Sequence, residues 1–196
     1  MAAIPKSKMT PQEYLEFERK SAEKHEYFDG EIFLMVGAKR RHNVIVLNFG
    51  SEIRQKLKGR SCEGYANDMR VSIPNTGLYT YPELVVVCGE PNFQDDVFDT
   101  LLNPILIIEV LSETTENYDR GKKFQHYRTI ETLHEYVLVS TDEARIEKFE
   151  KTNNGFWFLS EAVGIDSEIE LTSIEARIQL AEIYDKIDFS VEESQA

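Results

Sequence analysis

The sequence predicts a mixed α/β fold, a central sheet flanked by helices, on three observations. Pro104-Ile105-Leu106-Ile107-Ile108-Glu109-Val110-Leu111 is an almost purely aliphatic run closed by proline at one end and Ser112 at the other, the pattern of a strand buried on both faces. Leu84-Val85-Val86-Val87-Cys88 repeats it. Segments of helical period, at 44–57 and 119–130, alternate with these runs.

Thr10-Pro11-Gln12-Glu13 is a capping box with proline at the first helical position, so a helix is predicted from there to about residue 22. Tyr14, Leu15 and Phe17 give it an apolar side. Asp29-Gly30 supplies the positive φ angles of a two-residue turn between Glu26-Tyr27-Phe28 and Glu31-Ile32-Phe33, hence a hairpin. Val44, Leu47, Ile53 and Leu57 mark a longer amphipathic helix that Gly59 ends. Residues 62–66 and 69–73 are predicted as a pair of short strands around Asn67-Asp68, followed by a turn at Pro74-Asn75-Thr76-Gly77. The strand entered through Tyr81-Pro82-Glu83 leads to an exposed acidic loop at 91–102. After the aliphatic run come the helix at 119–130, a strand at 134–140, and a second hairpin, 144–151 with 155–159, turned through Asn153-Asn154-Gly155. A short helix at about 180–187 and a polar acidic tail close the chain. Nothing marks a linker or a repeat, so residues 1–196 are expected to form one domain.

Composition narrows the class. Hydrophobic residues are 41% and charged residues 29%, enough apolar material for a core that needs no staples. Cys62 and Cys88 could pair only once; Cys88, in an aliphatic strand, is expected as a buried free thiol, which points to a reducing, cytoplasmic setting. Met1 to Lys8 carry no apolar signal core, and no apolar stretch approaches the ~20 residues of a membrane span. A net charge of -13 argues against unspecific attachment to nucleic acid. That charge is uneven. Between Lys39 and Arg60 seven bases face one acid, between Arg120 and Arg128 four bases face none, and from Asp142 onward fourteen acids outnumber five bases. A basic face beside an acidic one satisfies this distribution, and so do ordinary solvated helix faces.

Glu109 is the misfit of the aliphatic run, because an ionised carboxylate there is costly unless paired, hydrogen-bonded or bound to a cation. Glu83 stands at the mouth of the other buried strand. If the two strands are neighbours, their carboxylates come together, and two close anions share a proton or bind a cation. Carboxylate oxygens favour Mg²⁺ or Mn²⁺ over zinc, and no Cys/His cluster of zinc spacing competes. At about 100° per residue, Lys123 falls on the arc of Phe124, Tyr127 and Ile130 while Lys122 points away, so Lys123 is predicted to face the sheet. An ammonium there orients or helps deprotonate a metal-bound water, or neutralises charge building on a phosphoryl oxygen, which is the equipment of phosphodiester hydrolysis.

Tyr81-Pro82-Glu83, Ile108-Glu109-Val110-Leu111-Ser112 and Asp119-Arg120-Gly121-Lys122-Lys123-Phe124, with Tyr127 and Glu135-Tyr136, resemble the bacterial Uma-type endonuclease family of the PD-(D/E)XK restriction-endonuclease-like superfamily. Asp29-Gly30-Glu31, Arg41-His42-Asn43 and Asp68-Met69-Arg70-Val71 extend the likeness over most of the chain. The resemblance implies a restriction-endonuclease-like core and a Mg²⁺- or Mn²⁺-dependent endonuclease acting on DNA, with a homodimer as the expected assembly. It implies that Glu83 and Glu109, with the Val110 carbonyl, hold the ion, that Lys123 assists the attacking water, and that Glu26 corresponds to an additional acid from the N-terminal part. His42 and Asp68 are candidates to line the cleft, and Tyr127 is expected in the core or behind the ligands. Two positions depart from the superfamily pattern: glutamate stands at 83 where aspartate is usual, and the residue two after Glu109 is Leu111 rather than lysine.

Each assignment has a structural rival. Glu109 and Lys123 could form a plain buried salt bridge, Glu83 and Glu26 could be surface acids, His42 a satisfied helix residue, and Asp68 a turn residue. At the level of the whole chain, the rival to a nuclease is a catalytically silent module of the same fold that binds nucleic acid or a protein partner. A self-associating structural protein is the third reading.

Overall fold

The computed structural model describes residues 8–191, so the sequence-based expectations for the first seven residues and for most of the acidic tail lie outside the described residues. The capping box forms as predicted and opens helix α1 (Pro11–Glu18): the Glu13 amide donates to the Thr10 hydroxyl and the Thr10 amide donates to the Glu13 carboxylate. α1 stops earlier than expected because Arg19 caps it, with its guanidinium drawn aside to Asp95 and Asp99. Strands β1 (His25–Phe28) and β2 (Glu31–Leu34) make the hairpin, with Asp29 at φ 49° and Gly30 at φ 85°. Helix α2 (Arg40–Lys56) buries His42, Ile45, Phe49 and Ile53, and this phase leaves Leu47 on the opposite side, 72% exposed. The strands around Asn67-Asp68, β3 (Cys62–Ala66) and β4 (Arg70–Ile73), do not pair with each other. β4 instead turns at residues 74–77 into a strand the sequence reading missed, β5 (Leu78–Thr80).

Strand β6 (Leu84–Cys88) follows, and the acidic loop after it contains a buried two-residue strand, β7 (Thr100–Leu101), where only exposed chain was expected. The aliphatic run forms β8 (Leu106–Val110), buried at all five positions. The helix predicted at 119–130 starts earlier, ends earlier and is interrupted: α3 (Glu116–Tyr118) runs through a π-helical turn (Asp119–Lys123) into α4 (Phe124–Tyr127). Then come β9 (Glu135–Val139) and the second hairpin, β10 (Arg145–Lys151) with β11 (Trp157–Val163). A small hairpin, β12 (Glu168–Leu171) with β13 (Ala176–Gln179), was not foreseen, and the last helix, α5 (Leu180–Ile183), is shorter than expected.

β8 lies parallel to β9 and antiparallel to β6 at the centre of a six-stranded mixed sheet, β11-β10-β9-β8-β6-β3. Ile108, Val86 and Val137 pack on one face against Ile45, Phe49 and Ile53 of α2 and against Leu180 and Ile183 of α5. Ile107, Val85 and Leu138 pack on the other against Val71, Ile73, Leu78 and Leu101 of a five-stranded sheet, β2-β1-β5-β4-β7. A strand covered on both sides must be apolar throughout, which is why β8 reads as it does. Register also overturns the free-thiol expectation: Cys62 and Cys88 are direct partners across β3 and β6, and their sulfurs are bonded. The thiol argument for a reducing compartment is thereby removed. Among the described residues no helix is long and apolar enough to cross a membrane.

Candidate active site

Side chains of a strand alternate between faces, so Glu109 leaves β8 on the same side as Ile107 and Leu111, toward the second sheet. It is 3% exposed, and two donors reach the same oxygen: the Tyr127 hydroxyl at 2.7 Å and Lys123 Nζ at 3.0 Å, both on Oε1. The Glu109 carboxyl is raised to about 8: burial pushes it up most, the charge of Lys123 opposes this, and the nearby charges of Asp119 and Glu83 add to the rise.

The π-helical turn sets the lysine. Asp119, Lys123 and Tyr127 recur every four residues and are all buried, whereas Lys122 is exposed. Single π-turns of this kind widen a helix locally and re-aim side chains. Tyr136 anchors the turn by donating its hydroxyl to the Asp119 carbonyl at 3.0 Å. Lys123 Nζ then lies 3.0 Å from Glu109, 3.3 Å from Glu26 Oε1 and 3.5 Å from Asp119 Oδ1. Burial alone would lower the Lys123 pKa, but Glu109, Glu26 and Asp119 more than reverse it, so the ammonium is held charged well above the ordinary lysine range. Burial likewise raises the Asp119 carboxyl. Three carboxyl groups thus surround one ammonium, and burial raises those of Glu109 and Asp119 above the ordinary carboxylate range.

Two further acids arrive from other elements. Glu26 comes from β1 in the five-stranded sheet, and the Thr80 hydroxyl at the end of β5 donates to its Oε1. Glu83 precedes β6. The β6–β8 pairing ends at Leu84 opposite Ile108, and one more step of that register sets Glu83 across from Glu109, on the same face. Tyr81, just upstream, is pinned by accepting from Arg70 Nη1 at 2.8 Å and donating to Glu18 at 3.0 Å. From the first turn of α2, buried His42 brings Nε2 to 3.1 Å from Glu83 Oε1.

Residues 11–181 match the profile of a family described as Uma2, putative restriction endonuclease. The chain belongs to the Uma2 family. Two Synechocystis relatives, both uncharacterized proteins, are similar to it: slr1290, 37% identical over 95% of this chain and 97% of that one, and sll1609, 36% identical over 84% and 93%. The crystal structure of a putative nuclease belonging to DUF820 from Anabaena variabilis superposes with a TM-score of 0.72 at 17% identity, over 91% of this chain and 96% of that one. The fold is therefore that of this putative nuclease, with the mixed α/β architecture the sequence predicts.

Of the residues singled out in the sequence, Glu26, Glu83, Glu109, Lys123, Tyr127 and His42 are gathered at this one end of the Uma2 core. Val110 follows directly, with its side chain in the α2 core on the opposite face. Asp68 is not gathered: it is exposed and pairs with Lys24. Asp119 and Thr80 were not assigned from the sequence. The four-residue spacing of Asp119 and Lys123 was the available signal for the first, and none existed for the second. A separate surface depression, lined by Leu111, Arg120, Ser140, Arg145 and Glu147, already has its arginines engaged by acids.

The donor set fits a hard divalent ion. Among the described residues no three Asp, Glu, His or Cys side chains form a ready-made metal cage. Mg²⁺ ordinarily takes one or two carboxylates and completes its shell with water and phosphate oxygens. Glu83 and Glu109, facing each other across β6 and β8 on the same face, are a pair of that kind.

Proposed function

We propose that this Uma2 chain is a divalent-metal-dependent endonuclease that hydrolyses phosphodiester bonds of DNA. One observation carries the proposal: a buried ammonium, Lys123, sits among the carboxyl groups of Glu109, Glu26 and Asp119 at the sheet end where Glu83 opposes Glu109. Glu83 and Glu109, with the Val110 carbonyl, would hold Mg²⁺ or Mn²⁺, which when bound polarises a phosphoryl oxygen and acidifies its water.

The protein's own groups divide the remaining work. Lys123 stays protonated, so it acts as a donor to the attacking water or to a developing phosphoryl charge, and is the wrong species to take a proton. Glu26 and Asp119 hold that ammonium in place from two sides. The Tyr127 hydroxyl fixes Oε1 of Glu109, and His42 orients Glu83. A homodimer is the assembly proposed with this activity, and light scattering tests it.

The second reading, a silent binding module, has one observation in its favour: Glu109 and Glu83 already have partners within the protein, the Lys123 ammonium at 3.0 Å and the His42 ring at 3.1 Å. The test is Mg²⁺-dependent cleavage of single-stranded, linear and supercoiled DNA by wild type and Glu109→Ala. Cleavage by wild type alone is expected. Equal background in both overturns the nuclease reading, and Mn²⁺ calorimetry without a saturable heat would then select the module.

A further inference from the structure

Glu26 and Phe33 are direct partners in the β1–β2 hairpin, so their side chains leave the same face. Glu26 uses that face to reach Lys123. Phe28, two residues on, leaves it too, and its ring meets His126 of α4 edge-on with centroids 4.8 Å apart. Both rings nevertheless stay open to solvent, Phe33 at 48% and Phe28 at 37%. β2 is the edge of its sheet, a place where proteins usually set charge rather than aromatic surface. Lys122 shares this corner: it is exposed, and its charge, like that of Glu26, acts on His126.

Half-exposed aromatic rings beside an ammonium, continuous with the carboxylate cluster, match the chemistry of a nucleotide whose base is free to stack. A base inside a duplex is already stacked on both sides, and a protein ring reaches its face only at the cost of unstacking it. We propose that Phe33, with Phe28 and Lys122, is a stacking shelf for an unpaired base beside the phosphate to be cut, so that the substrate is single-stranded or locally opened DNA. This rests on the nuclease reading of the Glu109–Lys123 cluster. The shelf holds the base, Lys122 the adjoining phosphate, and the hairpin register fixes both relative to Glu26.

The test is fluorescence anisotropy in EDTA with a labelled single-stranded oligodeoxynucleotide and a duplex of the same sequence. Phe33→Ala is expected to weaken single-strand binding about tenfold, within the range one base–aromatic stack supplies, and duplex binding by a smaller factor. Phe33→Trp is expected to restore the wild-type constant. Equal losses for the two forms, or none, overturn the proposal. So does a drop in light-scattering mass on Phe33→Ala, which would make the patch a contact between copies of the chain. Because binding is read without cleavage, a wild type that holds single strands through Phe33 yet cuts no DNA defeats the nuclease reading and leaves the shelf in place.

Discussion

Lys123 Nζ lies 3.0 Å from Glu109 Oε1, inside the protein, with the Tyr127 hydroxyl on that same oxygen at 2.7 Å. Both contacts crowd one side of the carboxyl, and Oε2 takes neither of them. Glu109 thus stands between an ammonium and Glu83, its neighbour across the strands.

Removing the ammonium should be costly as well as inactivating. Lys123→Met leaves Glu109, Glu26 and Asp119 without their shared partner, and breaking a buried pair from one side typically costs about 3–5 kcal/mol. Urea denaturation at pH 8 should show a loss of that order, and a smaller one at pH 5, where the raised carboxyl of Glu109 takes up a proton. Adding Glu109→Gln to Lys123→Met should recover stability but not cleavage. A single variant as stable as wild type at pH 8 would refute the charge arrangement.

The Glu109 carboxyl is raised from 4.5 to about 8, so the folded state holds a proton there that the unfolded state has released. Between those values the unfolded chain binds fewer protons at this group, and the stability it contributes falls as pH rises, by at most about 1.4 kcal/mol per pH unit. That contribution is fully present below about pH 4.5 and gone above about 8. In metal-free buffer, urea midpoints of wild type should therefore decline across this window relative to those of Glu109→Gln. Parallel profiles would mean that Glu109 is ionised throughout.

What the sequence made legible follows from which signals are local. The capping box at Thr10, the Asp29-Gly30 turn and the aliphatic run around Glu109 specify their own geometry within a few residues, and each forms as read. Lys123 was also legible, because the arc it shares with Tyr127 and Ile130 stays buried even through the π-turn. Pairing is not local. The Cys62–Cys88 bond depends on the β3–β6 register, and β3 and β4 look like one hairpin yet serve different sheets. β5, β12 and β13 are three or four residues long, too short for periodicity to reveal. The approach of Glu26 to Lys123 depends on how two sheets stack, which no stretch of either encodes alone.

Metal uptake should release a proton. If Mn²⁺ binds through Glu109, the proton held there near neutral pH must leave first, so calorimetry at pH 7 in buffers of different ionisation enthalpy should reveal release of close to one proton. At pH 9 the release should vanish and the affinity should be higher. Glu83→Ala and Glu109→Ala should each remove the saturable heat. Unchanged binding in either variant would place the ion elsewhere.

Tyr127→Phe separates orientation from charge. The substitution keeps the ring, packed at 5.2 Å from that of Tyr136, and deletes only the hydroxyl that donates to Glu109 Oε1. With the Glu109 carboxyl raised to about 8, the acceptor is largely neutral near pH 7; a hydrogen bond of that kind contributes about 0.5–1.5 kcal/mol, and Lys123 continues to serve the same oxygen, so the expected loss of stability lies in or below that range. The carboxyl, freed on one side, can rotate. Mn²⁺ affinity should therefore weaken by about tenfold or less while the fold is kept, and raising the metal concentration should restore cleavage. A loss of cleavage that saturating metal does not restore would give Tyr127 a direct role toward the substrate rather than toward Glu109.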